Sequence, residues 1–207
     1  MNVPFEIERL EAPMLTVFIQ RLKRIYASMD DAYDRAARHY GFSCDGCRDN
    51  CCRTRFYHHT LIEYAYLKEG LTTLRVNMQD PVKSRAITVM DTIETARDSR
   101  GAVRLMCPLN VDTRCILYPY RPMICRLHGI PHELKKPGQA DIMGPGCDTF
   151  DSRCGRKPYI PFDRTSIYGD MAKLEQAVRQ AARFDGKIKM TVSEMIVDFH
   201  YEVYRYR

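Results

Sequence analysis

With 207 residues and 45% hydrophobic content, the chain can bury a core as one domain spanning 1–207, and a compact globular protein is the expectation. The formal charge of +6 arises from 32 Lys and Arg interleaved with 26 Asp and Glu, which reads as a solvated surface and makes nucleic acid an unexpected partner. No apolar run approaches the ~18–20 residues that span a bilayer, and residues 1–12 carry Glu6, Glu8 and Glu11, so neither a membrane segment nor a secretory leader is expected.

In chain order, Leu15, Phe18, Ile19, Leu22, Ile25, Tyr26, Met29 and Tyr33 keep the three-and-four spacing of one buried helical stripe. This predicts a long amphipathic helix over Met14–Tyr40, ended by Gly41. Thr60 with Glu63 has the form of a capping box and opens a short helix running to Gly70. Asp80-Pro81 followed by Val82, Ala86, Val89, Met90 and Ile93 predicts a third helix that begins at the proline.

Residues 102–160 read differently, with prolines and glycines set around short apolar pieces, which predicts a loop-rich region with at most a small hairpin. Helical spacing returns at Met171, Leu174, Val178, Ala181 and Phe184, stops at Gly186, and resumes after a Thr191/Glu194 box with Val192, Ile196, Phe199 and Val203. The expected fold is mainly α, with helices at both ends around an irregular cysteine-rich core at 42–154. Long structureless segments are uncommon inside compact domains, and a bound metal would organise this one.

The chain has nine cysteines. Without a leader, a reducing cytoplasm is the expected compartment, where close-spaced cysteines are usually metal ligands or redox centres. Cys44, Cys47, Cys51 and Cys52 crowd into "CDGCRDNCC", and Cys107, Cys115, Cys125, Cys147 and Cys154 lie in the irregular middle, so a metal core would draw on both. On a helix turning ~100° per residue, Cys44, Cys47 and Cys51 would share an arc of ~60°, while Cys52 would sit ~100° from Cys51. Cys52 would then serve a second centre with later cysteines or pack as a thiol. Isolated Cys154 reads equally well as a small buried hydrophobe.

The ordered series "CDGCRDNCC", "CPLNVDTRCILYPYRPMICRLHG" and a later "GC" resembles the YkgJ-type cysteine-cluster proteins, a zinc- or iron-chelating CxxCxxCC domain, over Phe42 to Cys154. The resemblance implies a motif set of Cys44, Cys47, Cys51, Cys52, Cys107, Cys115, Cys125 and Cys147. This chain departs from the pattern in two places: three residues separate Cys47 from Cys51, and His128 stands where an aromatic or apolar residue is expected. Within this frame, Pro122 would be the first residue of a short helix with Cys125 in its first turn, near free backbone N–H groups that favour a thiolate. Arg121 and Arg126 would offset thiolate charge or satisfy loop carbonyls. His58, His59, His128 and His132 are candidate ligands or proton donors, His128 first among them.

Soft thiolates select zinc, copper(I) or an iron–sulfur cluster, and eight cysteines permit two four-thiolate sites. Similarity to the cysteine domain of flagellin lysine-N-methylases implies an iron–sulfur cluster of the [4Fe–4S] kind, with zinc as the alternative. The spacing is not the Cys-x3-Cys-x2-Cys of radical enzymes using S-adenosylmethionine, and no phosphate loop, nucleophile elbow or His-Glu-x-x-His appears. Three functions follow as expectations: a metal-cluster protein in redox chemistry, metal handling or assembly; a cluster-dependent protein-modifying enzyme of the lysine methylase kind; or a structural zinc module that binds a protein partner, for which the tail "YEVYRYR" is a candidate surface.

Overall fold

The apolar stripe at the start of the chain forms α1, Ala12–Tyr40, which buries Phe18, Ile19, Leu22, Tyr26 and Met29 along one side. Gly41 ends it at φ 58, with Gly41 N–H donating to Arg38 O and Phe42 N–H to Ala37 O, the paired closure that a left-handed residue permits. These contacts come from a computed structural model that describes residues 10–44, 47, 51–96, 103–135 and 138–205, of which 200–205 are described as backbone.

Helix α2, Leu61–Thr72, is buried at nearly every position from Leu61 to Leu67 and therefore runs through the middle of the molecule. The predicted capping box is present: Glu63 N–H donates to Thr60 Oγ1 at 3.3 Å, and Thr60 Oγ1 donates to Glu63 Oε2 at 2.7 Å. Two further N–H groups at this end, Leu61 and Ile62, donate to the buried Glu175 carboxylate at 2.9 and 3.2 Å. Leu61, Ile62 and Ala65 face one apolar cluster built mainly with α1 and with α6, Thr165–Ala182. Tyr64, Leu67 and Leu71 face a second, built with α3, Val76–Thr95, and α7, Val192–Arg205. The Thr191/Glu194 box opens α7 with reciprocal bonds of 2.6 and 3.2 Å.

Two expectations need correction here. Helix α3 starts at Val76, five residues before Pro81, which lies inside it. Arg75 O accepts from Met78 N–H at 2.8 Å, so the first turn is closed upstream of the proline, and only one carbonyl a turn back loses its donor. The middle is also more structured than a loop with one hairpin. It holds two antiparallel hairpins, β1 Asn110–Val111 with β2 Arg114–Cys115 and β3 His132–Leu134 with β4 Ile142–Gly144. It also holds two short helices, α4 Met123–Leu127 and α5 Asp148–Cys154.

The first hairpin escaped the sequence because its two-residue turn lacks glycine: Asp112 and Thr113 take φ 49 and φ 66. A β-branched residue there is strained, and strain is commonly kept beside functional sites. Thr113→Gly is expected to stabilise the metal-free chain by about 1 kcal/mol, raising the melting temperature by roughly 2–4 °C. A thermal melt checks this, and an unchanged or lower midpoint contradicts the assignment of strain. Among the described residues, no helix is long and apolar enough to cross a membrane.

Candidate metal centre

Asp45, Gly46 and residues 48–50 of the cysteine knot lie outside the described residues, so a helix over 44–52 is tested only at its ends. Neither end is α-helical. Cys47 N–H donates to Cys44 O at 3.1 Å, and Cys51–Arg53 is one 3₁₀ turn. Cys51 and Cys52 stand side by side in this 3₁₀ turn, and the Cys51 thiol pulls the Cys52 thiol down.

From this turn the later cysteines are placed one by one. Cys107 N–H donates to Cys52 O at 2.8 Å, which docks the "MCPL" segment against the knot. Asn110 N–H closes back on Cys107 O at 2.9 Å, and the β1–β2 register sets Asn110 opposite Cys115, while the Asn110 side chain hydrogen-bonds to Cys52. Helix α4 then delivers Cys125. Cys52, Cys107, Cys115 and Cys125, from four separate stretches of chain, are thus within reach of each other's charge.

A second group forms at the other end of the knot. Cys47 Sγ lies 3.1 Å from Thr149 Oγ1, and Tyr33 hydroxyl lies 3.8 Å from Cys44 Sγ. Cys147 caps α5 through Phe150 N–H at 3.4 Å and donates its own N–H to Gly129 O at 3.1 Å. Gly129 has to be glycine: φ is 111, and a Cβ would meet Tyr33 hydroxyl at 3.1 Å and the Phe42 ring at 3.3 Å. Cys51 stands between the groups and feels both Cys125 and Cys44. Cys154 belongs to neither. It is buried in the first apolar cluster and donates its thiol to Tyr40 O at 3.4 Å.

Burial is the main influence on the later thiols. It pushes Cys107 up to about 12 and Cys125 well above the usual thiol range, raises Cys115, and is reinforced in each by neighbouring cysteines. Cys52 is pulled the other way, first by the Cys51 thiol that donates to it, then by Asn110 and Arg121. Arg121 pulls Cys44, Cys115 and Cys125 down as well. Its Nε donates to Tyr118 O at 3.1 Å, and its guanidinium stacks 3.4 Å from the Tyr118 ring, so it is held facing the thiols.

Arg126 does a different job. Buried at 6% exposure, it donates to Asp30 Oδ2 at 2.6 Å, to Arg121 O at 2.8 Å and to Pro119 O, and lies over the Tyr26 ring. It satisfies loop carbonyls and pairs with Asp30. Pro122 is also displaced from its expected position: it caps α4 from outside, and Cys125 N–H donates to Pro122 O at 3.0 Å. The first N–H of α4, on Met123, is taken at 2.6 Å by Glu63 Oε1, which also accepts from Tyr26 hydroxyl at 3.1 Å. The N–H groups expected to stabilise a Cys125 thiolate are therefore largely occupied. Sequence reading found Glu63 as a capping residue and missed that it anchors the helix carrying Cys125.

Six of the thiols, Cys44, Cys51, Cys52, Cys107, Cys115 and Cys125, line one cavity of about 960 Å³. His58 and His128 line it too, both lowered first by burial. His59 and His132 are not among its lining residues. The nine cysteines are all free thiols. No protein-family model, curated protein or solved structure matches the chain.

The donor chemistry fits a soft metal: four thiols from converging segments, a fixed guanidinium beside them and a shared cavity. The side chains are not at ligand spacing, however, since among the described residues no three His, Cys, Asp or Glu groups are disposed to hold an ion. Ligation requires the thiols to close in and lose their protons, which burial otherwise resists.

Proposed function

We propose that the chain is a metal-binding cysteine-cluster protein in which Cys52, Cys107, Cys115 and Cys125 are the principal thiolate set. The observation that carries the reading is that these four half-buried thiols, from separate stretches of chain, line one cavity that Arg121 also lines. Thiols packed merely as small hydrophobes would gain nothing from crowding that raises one another's pKa values. Cys44, Cys47 and Cys147, linked through Cys51, are the candidates for a second centre.

An iron–sulfur cluster of the [4Fe–4S] kind is the proposed group, as the YkgJ-type resemblance implies, with zinc as the alternative. When bound, such a cluster would supply one-electron chemistry or an electronically tuned metal. The chain's own residues would hold it through the four thiolates, with Arg121 offsetting their charge. A redox, metal-handling or assembly role in the cytoplasm is the reading adopted. A cluster-dependent protein-modifying enzyme is the second reading, and the size of the cavity favours it, because space beside the thiols leaves room for part of a substrate.

Anaerobic purification from iron-replete cells, followed by iron, zinc and acid-labile sulfide analysis, tests the metal. Brown protein with iron and sulfide is expected. Colourless protein with stoichiometric zinc and no sulfide would replace the cluster by a zinc site, and protein free of both metals would end the metal-binding reading.

A further inference from the structure

We propose that the cavity also binds the carboxylate of an apolar carboxylic acid, between the His58 ring, the Ser193 hydroxyl and the first two N–H groups of α7, with the hydrocarbon chain of the acid against α3. This site does not rest on the metal-binding reading. His58 and Ser193 both line the cavity and are only 3% and 4% exposed. His58 spends its backbone N–H and O on Met190, at 2.7 and 3.0 Å, so only its ring is left to offer. Unlike the ring of His59, which bonds with Ile188 O at 2.9 Å, that ring has no hydrogen-bond partner among the described residues, and neither has the Ser193 hydroxyl. Among the described residues, the sealed side-chain atoms without a partner are Arg85 Nη2, His132 Nδ1 and Arg164 Nε. His58 and Ser193 are not in that group, so each keeps a polar atom open to the cavity.

The chain carries its own precedent for the occupant. Helices α2 and α7 open with the same capping box, Thr60/Glu63 and Thr191/Glu194. At α2 the first two N–H groups, on Leu61 and Ile62, donate to the Glu175 carboxylate. At α7 the equivalent N–H groups, on Val192 and Ser193, have no partner among the described residues, and both residues line the cavity. A carboxylate there would meet unused donors and the positive end of the helix dipole, and at α2 the glutamate of the box does not prevent such binding. Burial lowers His58, so its ring is neutral and adds one further N–H. The other charged lining, Arg53, Arg55, Arg114 and Arg121 against Asp34 and an Asp30 already paired with Arg126, is net positive.

The apolar part of the ligand follows from α3. Its inner stripe runs Val82, Ala86, Val89 and Ile93. The first two are sealed in the second apolar cluster, whereas Val89 and Ile93 are half-buried and line the cavity with Val192. A hydrocarbon chain laid on them would remove that surface from water. The cavity, about 960 Å³, holds such a molecule beside the thiols.

The test titrates octanoate into the whole, anaerobically purified chain by calorimetry, with acetate and octylamine as controls, in wild type, Ser193→Ala and His58→Phe. Octanoate is expected to bind, acetate at least about tenfold more weakly for want of a chain, and octylamine not at all. Ser193→Ala removes one bond to a charged group and should weaken octanoate about tenfold while melting with wild type when no ligand is present. His58→Phe keeps the bulk of the ring and should weaken octanoate to a similar degree. Octanoate and octylamine bound alike would mean adsorption to apolar surface, and octanoate bound equally by Ser193→Ala would lie elsewhere, on a metal included. Either result overturns the site, as does wild type that binds no octanoate. Metal content of the same samples reports separately on the metal-binding reading, which stands or falls by itself.

Discussion

Cys52→Ala is expected to lower the metal held by the principal set roughly tenfold or more, because it removes the thiol whose charge acts on each of the other three principal cysteines and ligand loss exceeds the outer-shell scale. Melting of the anaerobically purified protein should fall with it, since metal-binding free energy is folding free energy in a site assembled from separate loops. Cys107, Cys115 and Cys125 each feel Cys52, whereas Cys47 is tied to Thr149 in the other group. Cys47→Ala should therefore leave the metal of the principal set in place, and Cys154→Ala should leave all the metal of the chain. Equal and complete loss in Cys47→Ala and Cys52→Ala would show that the two groups serve one shared centre, against the division drawn from their positions.

Glu63→Ala is expected to cost about 3–5 kcal/mol, an unusually large effect for a residue that touches no thiol. The carboxylate is 5% exposed and accepts from Tyr26 hydroxyl, Thr60 hydroxyl and Met123 N–H, so its loss strands donors on α1, before α2 and at the start of α4. At roughly 2–4 °C per kcal/mol for a chain of this size, the melting temperature should fall by about 10 °C. Glu63→Gln keeps an oxygen for Tyr26 and Met123 and should cost far less. Because Met123 N–H fixes the start of the helix bearing Cys125, metal should also be held more weakly in Glu63→Ala. Urea melts of the metal-free chains with parallel metal analysis check both effects, and a Glu63→Ala chain within 1 kcal/mol of wild type, a margin typical of ordinary surface changes, would contradict the anchoring role.

The long helices were legible because their apolar spacing matches what they bury. Phe18, Leu22, Tyr26 and Met29 meet the core as the periodicity requires, and both capping boxes close as read. Helix α3 was misplaced because proline usually marks a helix start, and here closure upstream through Arg75 and Met78 outweighs it. The β1–β2 hairpin left no turn signal because Asp112 and Thr113 occupy positions that glycine or asparagine normally fill. Candidate ligands were visible from their spacing, but their grouping was not. Which cysteines meet depends on Cys107 N–H reaching Cys52 O and on Glu63 reaching Met123, contacts between segments far apart in sequence. Arg121 and Arg126 are the sharpest case: five residues apart and chemically alike, one faces the thiols and the other is consumed by Asp30 and backbone carbonyls.

X-ray absorption at the metal edge of anaerobically purified wild type addresses the central claim most directly. A first shell made of sulfur alone, with sulfur at about 2.3 Å from the metal as thiolate ligation requires, is the predicted result. A shell dominated by nitrogen or oxygen, or metal absent from protein prepared with iron and zinc both supplied, would contradict it.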